Sequence, residues 1–306
     1  MADRTLAYFP LPLLAVPMGL GGMGLAWRVF AEAAPWAAPV GEALMALTAL
    51  AWIVITALHV MRAMRHPFMA REDWQHPFRG SFAGAIAIGL MLVAATLLPY
   101  VPGVARVVLL VAVALQWGVG LALLGRALRG EGSGAMLAPP LLIPLVGNLV
   151  ASIFAPALGM PMLGWMLFGV GTTLWLALQP LLLHRMVEGP PLPVVLRPAF
   201  FILLAPPAVS ALALEALGGH GPLVFALYGF ACFTLALLVI ELPFLVAGGF
   251  NPGFWAFTFP LAAFASITMR LADFGIGAAA LAVCSLAIGW IAWRTLRASP
   301  TFFHAP

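Results

Sequence analysis

The chain has 306 residues, 64% of them hydrophobic and 8% charged, with a formal net charge of +4 and a mean hydropathy of +1.09. That composition excludes a soluble globular domain and fits a polytopic membrane protein. All fourteen basic residues are Arg, and they stand at the ends of apolar runs, not clustered on one face, which argues against nucleic acid as a partner.

With about 20 apolar residues per bilayer crossing, the sequence predicts ten spans, at 9–30, 36–62, 78–99, 103–126, 138–157, 162–184, 198–215, 220–246, 252–271 and 275–294. They use up nearly the whole chain and predict a single transmembrane domain over 1–306. The first run follows Arg4 and ends near the small-residue stretch Ala31-Glu32-Ala33, which imitates a secretory signal. At about 22 residues and about 33 Å it is a full crossing and is read as a retained helix. Short connections such as Pro156 to Pro161 alternate with longer charged ones such as Arg65 to Arg79 and Arg126 to Pro139, a pattern of five helical hairpins. With the N-terminus inside, Arg4, Arg62, Arg65, Arg71, Arg79, Arg126, Arg129, Arg185, Arg197, Arg294 and Arg297 fall on one side and Arg28, Arg106 and Arg270 on the other. The positive-inside rule then puts both termini in the cytoplasm. The all-Arg, Ala-rich composition suggests a GC-rich genome, and the expected location is a bacterial inner membrane.

Prolines divide the spans into two classes. Pro17, Pro144, Pro206, Pro207 and Pro260 lie near mid-span in odd-numbered spans, and the third span carries Gly84 and Gly89 instead; in the even-numbered spans Pro180 and Pro243 stand close to the inner ends. A proline within a helix removes a backbone bond at a cost of roughly 3 kcal/mol. In hydrocarbon the orphaned carbonyl, that of Ala256 for Pro260, needs protein or water as a partner. The odd spans are therefore expected inside and the straight even spans against lipid, with breaks recurring about every sixty residues.

The ninth span carries two stripes. Phe254, Phe257, Leu261 and Phe264 form a packing stripe, whereas Pro252, Ala256, Phe259, Ala263, Ser266 and Arg270 share a second face on which Phe259 is the single bulky apolar residue. Asn148, Ser152, Ser210, Thr258 and Ser266 are among the few polar residues of the inner spans, each able to line a lumen or bond its own helix. Gly19, Gly22 and Gly147 either widen a lumen or allow close packing. Arg28 and Arg270 end the first and ninth spans on the outer side, where they concentrate anions at a mouth or snorkel, Arg270 with Asp273 as a partner. His59, Glu42, Glu215 and Glu241 are ionisable residues in or near spans, and Glu241 lies within an apolar run. His59, His66 and His76 have no compact metal spacing, Cys232 and Cys284 read as buried thiols, and no phosphate loop or nucleophile elbow is present, so neither an enzyme nor a cofactor is expected.

The stretches FPLPLLAVPMGLGGMGLAWR, PPLLIPLVGNLVAS, FILLAPPAVSAL and FNPGFWAFTFP, in this order and spacing, resemble the tellurite-resistance and dicarboxylate transporter family, which includes bacterial TehA and the slow-type anion channels of plant guard cells. The resemblance implies five helical hairpins around a central pore with odd helices inside, a homotrimer of separate pores in the bilayer, and small inorganic or organic anions as the transported partners. It also implies a pore blocked by a phenylalanine of the ninth helix, Phe259 by the match to AFTFP, with Phe257 the alternative. Gly19, Gly22, Pro144, Gly147, Pro207, Ala256, Ala263 and Ser266 are then the expected pore lining and Arg28 and Arg270 the outer mouth. An anion channel or facilitator is the reading; the alternative is a proton-coupled carrier of a C4-dicarboxylate, sulfite or tellurite.

Overall fold

A computed structural model describes residues 6–132 and 134–298; Arg4 and both chain ends lie outside them. Nine helices among the described residues are long and apolar enough to cross a membrane: α1 (Leu11–Ala33), α2 (Pro35–Arg65), α3 (Arg79–Leu97), α4 (Pro102–Leu128), α6 (Pro161–Glu188), α7 (Val194–Ala216), α8 (Pro222–Ile240), α9 (Pro252–Leu271) and α10 (Phe274–Ala298). Between α4 and α6 runs α5 (139–154), built of short pieces that break at Gly147. The 65–79 connection, expected as a loop, contains the helix Pro67–Gln75. The eighth span ends earlier than its apolar run suggests: α8 stops at Ile240 and Leu242–Leu245 forms a separate turn begun by Pro243, so Glu241 is an exposed helix-end residue, not a mid-span one.

Burial separates the helices. The apolar windows of α1, α3, α7 and α9 are 67–78% buried, those of the other five long helices 17–33%, so the first group forms the interior. Large apolar side chains such as Leu50, Phe233 and Leu286 cover the exposed faces of α2, α8 and α10 and require a hydrocarbon surrounding. The buried elements touch in a closed ring, α1 against α3, α3 against α5, α5 against α7, α7 against α9 and α9 against α1, and each packs on the element that follows it in sequence.

The breaks differ from mid-helix kinks. α1, α3, α7 and α9 each start as a 3-10 helix and turn α-helical at Val16, Gly84, Ala205 and Thr258. Pro17, Pro206, Pro207 and Pro260 occupy the second or third residue of those α stretches, and Pro144 the third of Leu142–Val146. That is the first turn, where a missing N–H costs least. Pro260 therefore sits at the start of an α-helix and does not interrupt one, and Ala256 belongs to the preceding 3-10 turn. At α5 the broken backbone is satisfied from outside: Gln116 of α4 donates to the carbonyls of Ile143 and Pro144, both at 2.8 Å. Trp52 of α2 likewise donates to Ile86 of α3 at 2.9 Å.

Candidate functional site

Three cavities lie along the axis of the ring, and the residues they share set their order. At the proximal face, where the inner helices begin, a recess of about 290 Å³ is walled by Pro10, Phe78, Phe82, Val195 and Asn251. A central cavity of about 60 Å³ shares Phe82 with it and is closed by Met18, Ile202, Pro206, Trp255 and Ala256. At the distal face, where the inner helices end, a recess of about 410 Å³ holds Arg28, Glu32, Glu215, His220, Ser266 and Arg270. The central cavity and the distal recess share three residues, Val150 of α5, Val209 of α7 and Phe259 of α9. These form an apolar septum. Phe259 stands about 14 Å from the proximal end of a helix about 33 Å long, counting 2.0 Å per 3-10 residue and 1.5 Å per α residue.

The space for the Phe259 ring comes from α1. A Cβ on Gly22 would stand 3.2 Å from the ring and 2.9 Å from the Ala262 Cβ, so glycine there allows both the helix approach and the ring. Phe257, by contrast, is packed: its ring lies on Phe201 at 3.9 Å between centroids and 24° between planes, and on Phe254 at 5.3 Å.

The remaining expected lining residues divide. Ala256 and Gly147 line the central cavity, and Gly22, Ala263 and Ser266 line the distal recess. Gly19 instead abuts the Thr258 side chain and Trp255, a helix-packing position. Pro144 faces an off-axis groove beside Trp117 and lies against Gly84. Pro207 is buried, and its neighbour Pro206 is the one that meets the central cavity. Of the five polar residues singled out, Ser266 lines an axial recess, where its hydroxyl donates to the Ala262 carbonyl at 2.9 Å. Asn148 accepts from the Trp117 indole at 2.9 Å, and Ser152 and Thr258 bond backbone one turn back. Val150, Val209 and Phe82 were not anticipated. The available signal was a bulky residue one turn after a break: Val150 follows Gly147 by three residues and Val209 follows Pro206 by three.

The charges of the distal recess are largely paired. Arg28 grips Glu42 with two bonds of 2.8 and 2.7 Å and donates a third to the Ala95 carbonyl at 2.8 Å, while Tyr100 donates to the same carboxylate. Glu42 also raises the Tyr100 hydroxyl's pKa by accepting that bond. Arg270 pairs with Glu32 at 3.3 Å and Glu215 at 3.4 Å, not with Asp273. The recess is therefore close to neutral, and Arg270, on two long contacts, is its more available cation.

On the proximal face Arg62 and Asp73 are both buried and paired at 2.6 Å, and Arg79 adds a second pair to Asp73 at 2.8 Å. His76 accepts the N–H groups of Phe78 and Arg79 at Nδ1, which requires a neutral ring; burial, then Arg79, lowers its pKa. Among the described residues no group of His, Cys, Asp and Glu side chains converges on a metal position.

The sequence pattern of the family described as voltage-dependent anion channel matches residues 8–296. The chain is 29% identical over 272 residues to the tellurite resistance protein TehA homolog of Haemophilus influenzae, covering 84% of this chain and 80% of that protein. It is 23% identical over 292 residues to the S-type anion channel SLAH2 of Arabidopsis thaliana, covering 89% of this chain and 54% of the plant protein, and 26% identical over 136 residues to the guard cell S-type anion channel SLAC1, covering 43% and 24%. With the whole ring of buried helices inside the matched residues, the chain belongs to the voltage-dependent anion channel family.

Proposed function

We propose that this protein is an anion channel or facilitator in which α5 completes ten crossings, paired as five hairpins around one pore. In this reading residues 1–306 are one transmembrane domain of a bacterial inner-membrane homotrimer, with a pore in each subunit. Ten of the described Arg residues end helices on the proximal face or stand in its loops, so that face and both termini lie in the cytoplasm. The observation that carries the proposal is the axial series of cavities meeting at Val150, Val209 and Phe259. An apolar septum of this kind stops ions by dewetting as well as by volume, and displacing one side chain reopens it. Phe259 is that side chain, and Gly22, Ala256, Ala263, Ser266 and Gly147 line the lumen on either side of it.

Small anions, including those suggested by the relatives' tellurite resistance and anion-channel names, are the transported species. A proton-coupled carrier is the competing reading, and its one support is the titratable pair Glu215 and His220 in the distal recess. Reconstitution of the opened variant Phe259→Ala in liposomes separates the two. Chloride efflux that follows voltage and the chloride gradient, and persists when a protonophore abolishes the proton gradient, is the expected result; flux that collapses with the proton gradient would reject the channel.

A further inference from the structure

We propose that an off-axis pocket on the proximal face is a binding site for a phospholipid whose headgroup carries both a phosphate and a primary ammonium. The pocket, about 460 Å³, lies between the ends of α6 and α8 and the 3-10 half of α7, and exceeds any of the axial cavities in volume. Its body is hydrocarbon, with Met186, Phe200, Leu203, Leu237 and Leu238 among the lining side chains. The surrounding surface is apolar and exposed at Leu183, Val187, Ile240 and Phe244, so the pocket opens where a bilayer meets the chain. Water gains nothing in such a volume, whereas an acyl chain from the adjoining leaflet fills it.

The headgroup chemistry follows from two ionisable side chains in the wall. Arg185 stands in the last turn of α6 and Glu241 caps the end of α8. They make no ion pair with each other among the described residues, and Arg185 spends one donor on the Pro190 carbonyl at 2.7 Å. Arg197 adds a second positive charge at the rim, its guanidinium 4.0 Å above the ring of Phe244, which also lines the pocket. A guanidinium with free donors suits a phosphate. A carboxylate in the same wall accepts N–H bonds from a primary ammonium, which neither a glycerol headgroup nor a trimethylated ammonium can supply. Phosphatidylethanolamine has this pair of charges; phosphatidylglycerol and phosphatidylcholine each miss one requirement.

The position gives the site a consequence that rests on the proposed function. Phe200 and Leu203 line the pocket, while Phe201 stacks on Phe257 and Ile202 lines the central cavity, all four on one 3-10 segment. An acyl chain behind Phe200 and Leu203 therefore braces the wall that faces Phe257 and Phe259.

The test uses the purified full chain with phosphatidylethanolamine, phosphatidylglycerol and phosphatidylcholine of identical acyl chains, read by retained lipid in native mass spectrometry and by melting temperature. Phosphatidylethanolamine should be retained about tenfold more tightly than the other two and raise the melting temperature most. Glu241→Gln should erase that preference while keeping phospholipid, and Arg185→Gln should weaken all three. Equal or tighter retention of phosphatidylglycerol, or an unchanged preference in Glu241→Gln, overturns the headgroup assignment. No retained phospholipid, with cysteines placed at Leu237 cross-linking to a second copy, overturns the site. None of these readouts depends on whether the chain conducts.

Discussion

Replacing Phe259 by Ala tests the septum directly, because the structure gives this ring and its neighbour Phe257 opposite settings. Phe257 is sandwiched between Phe201 and Phe254, so its truncation leaves a dry hole and costs about 3–5 kcal/mol, including about 0.5–1.5 kcal/mol for each aromatic pair lost. Phe259 already borders two voids, and deleting it joins the cavity of about 60 Å³ to the recess of about 410 Å³ without opening a new hole. The cost then approaches the transfer term of the ring alone, about 1.5–3 kcal/mol. Phe259→Ala should melt measurably higher than Phe257→Ala and should carry constitutive anion current in planar bilayers where the wild type is nearly silent. Phe257→Ala should lose stability and gain no current. A silent Phe259→Ala as unstable as Phe257→Ala, or an open Phe257→Ala, would refute the septum argument.

Three further outcomes follow from the recesses and the proximal loop. One unit charge about 7 Å from an ion in a water-like dielectric is worth about 0.6 kcal/mol, about threefold in local anion concentration. In the open variant, Glu215→Gln should therefore raise and Arg270→Gln lower low-salt conductance by up to about threefold, and both effects should vanish near 1 M, where screening acts within about 3 Å; a salt-independent loss would mark a structural role instead. With no charged side chain in the septum, selection should follow dehydration cost, so reversal potentials should show nitrate at least as permeant as chloride, and a strong dianion preference would contradict this. For His76 the folded pKa lies below the ordinary value, so the unfolded chain takes up the proton first as pH falls. Stability should be flat above about pH 7 and decline below about 6.5, and His76→Gln should remove part of that decline in melts recorded from pH 7.5 to 5.

Much of this was legible in the sequence because it is periodic. Phe259 stands out on a small-residue stripe of one helix, and proline positions, with Gly84 and Gly89 in their place in the third span, separate the buried helices from the exposed ones without long-range information. The helix type was not legible: a proline at the third residue of an α stretch and one in mid-helix look alike in sequence, so Pro260 read as a kink although it begins the α-helix of α9. Pairings between distant positions were also hidden. Arg270 meets Glu32 and Glu215 because three helix ends converge, and the nearer Asp273 was the local choice. Gln116 lies on a helix expected against lipid, and only the broken backbone of α5 explains why it is fully buried. Val150 lacked a stripe because α5 is too short for one, and Val209 of α7 was marked only by its place one turn after Pro206.

Those two valines also decide which part of the septum moves. A β-branched side chain holds one strongly preferred χ1 rotamer in a helix, so Val150 and Val209 form a stiff rim. Phe259 has a second rotatable bond, a glycine opposite, and a start in the first α turn after a 3-10 segment, where the helix is less constrained. Opening therefore consists of the ring leaving a rim that stays in place. Val209→Ala widens the rim by two methyl groups but leaves the ring, so its current should fall well below that of Phe259→Ala. Once the ring is gone the rim is the narrowest point, and adding Val209→Ala to Phe259→Ala should raise conductance by more than the single valine change does, a non-additive pair as expected for side chains sharing one constriction. Single-channel currents from the two single variants and the double variant measure this. Equal opening by either single substitution would mean that the valine is as much the moving part as the phenylalanine, and the stiff-rim argument would fail.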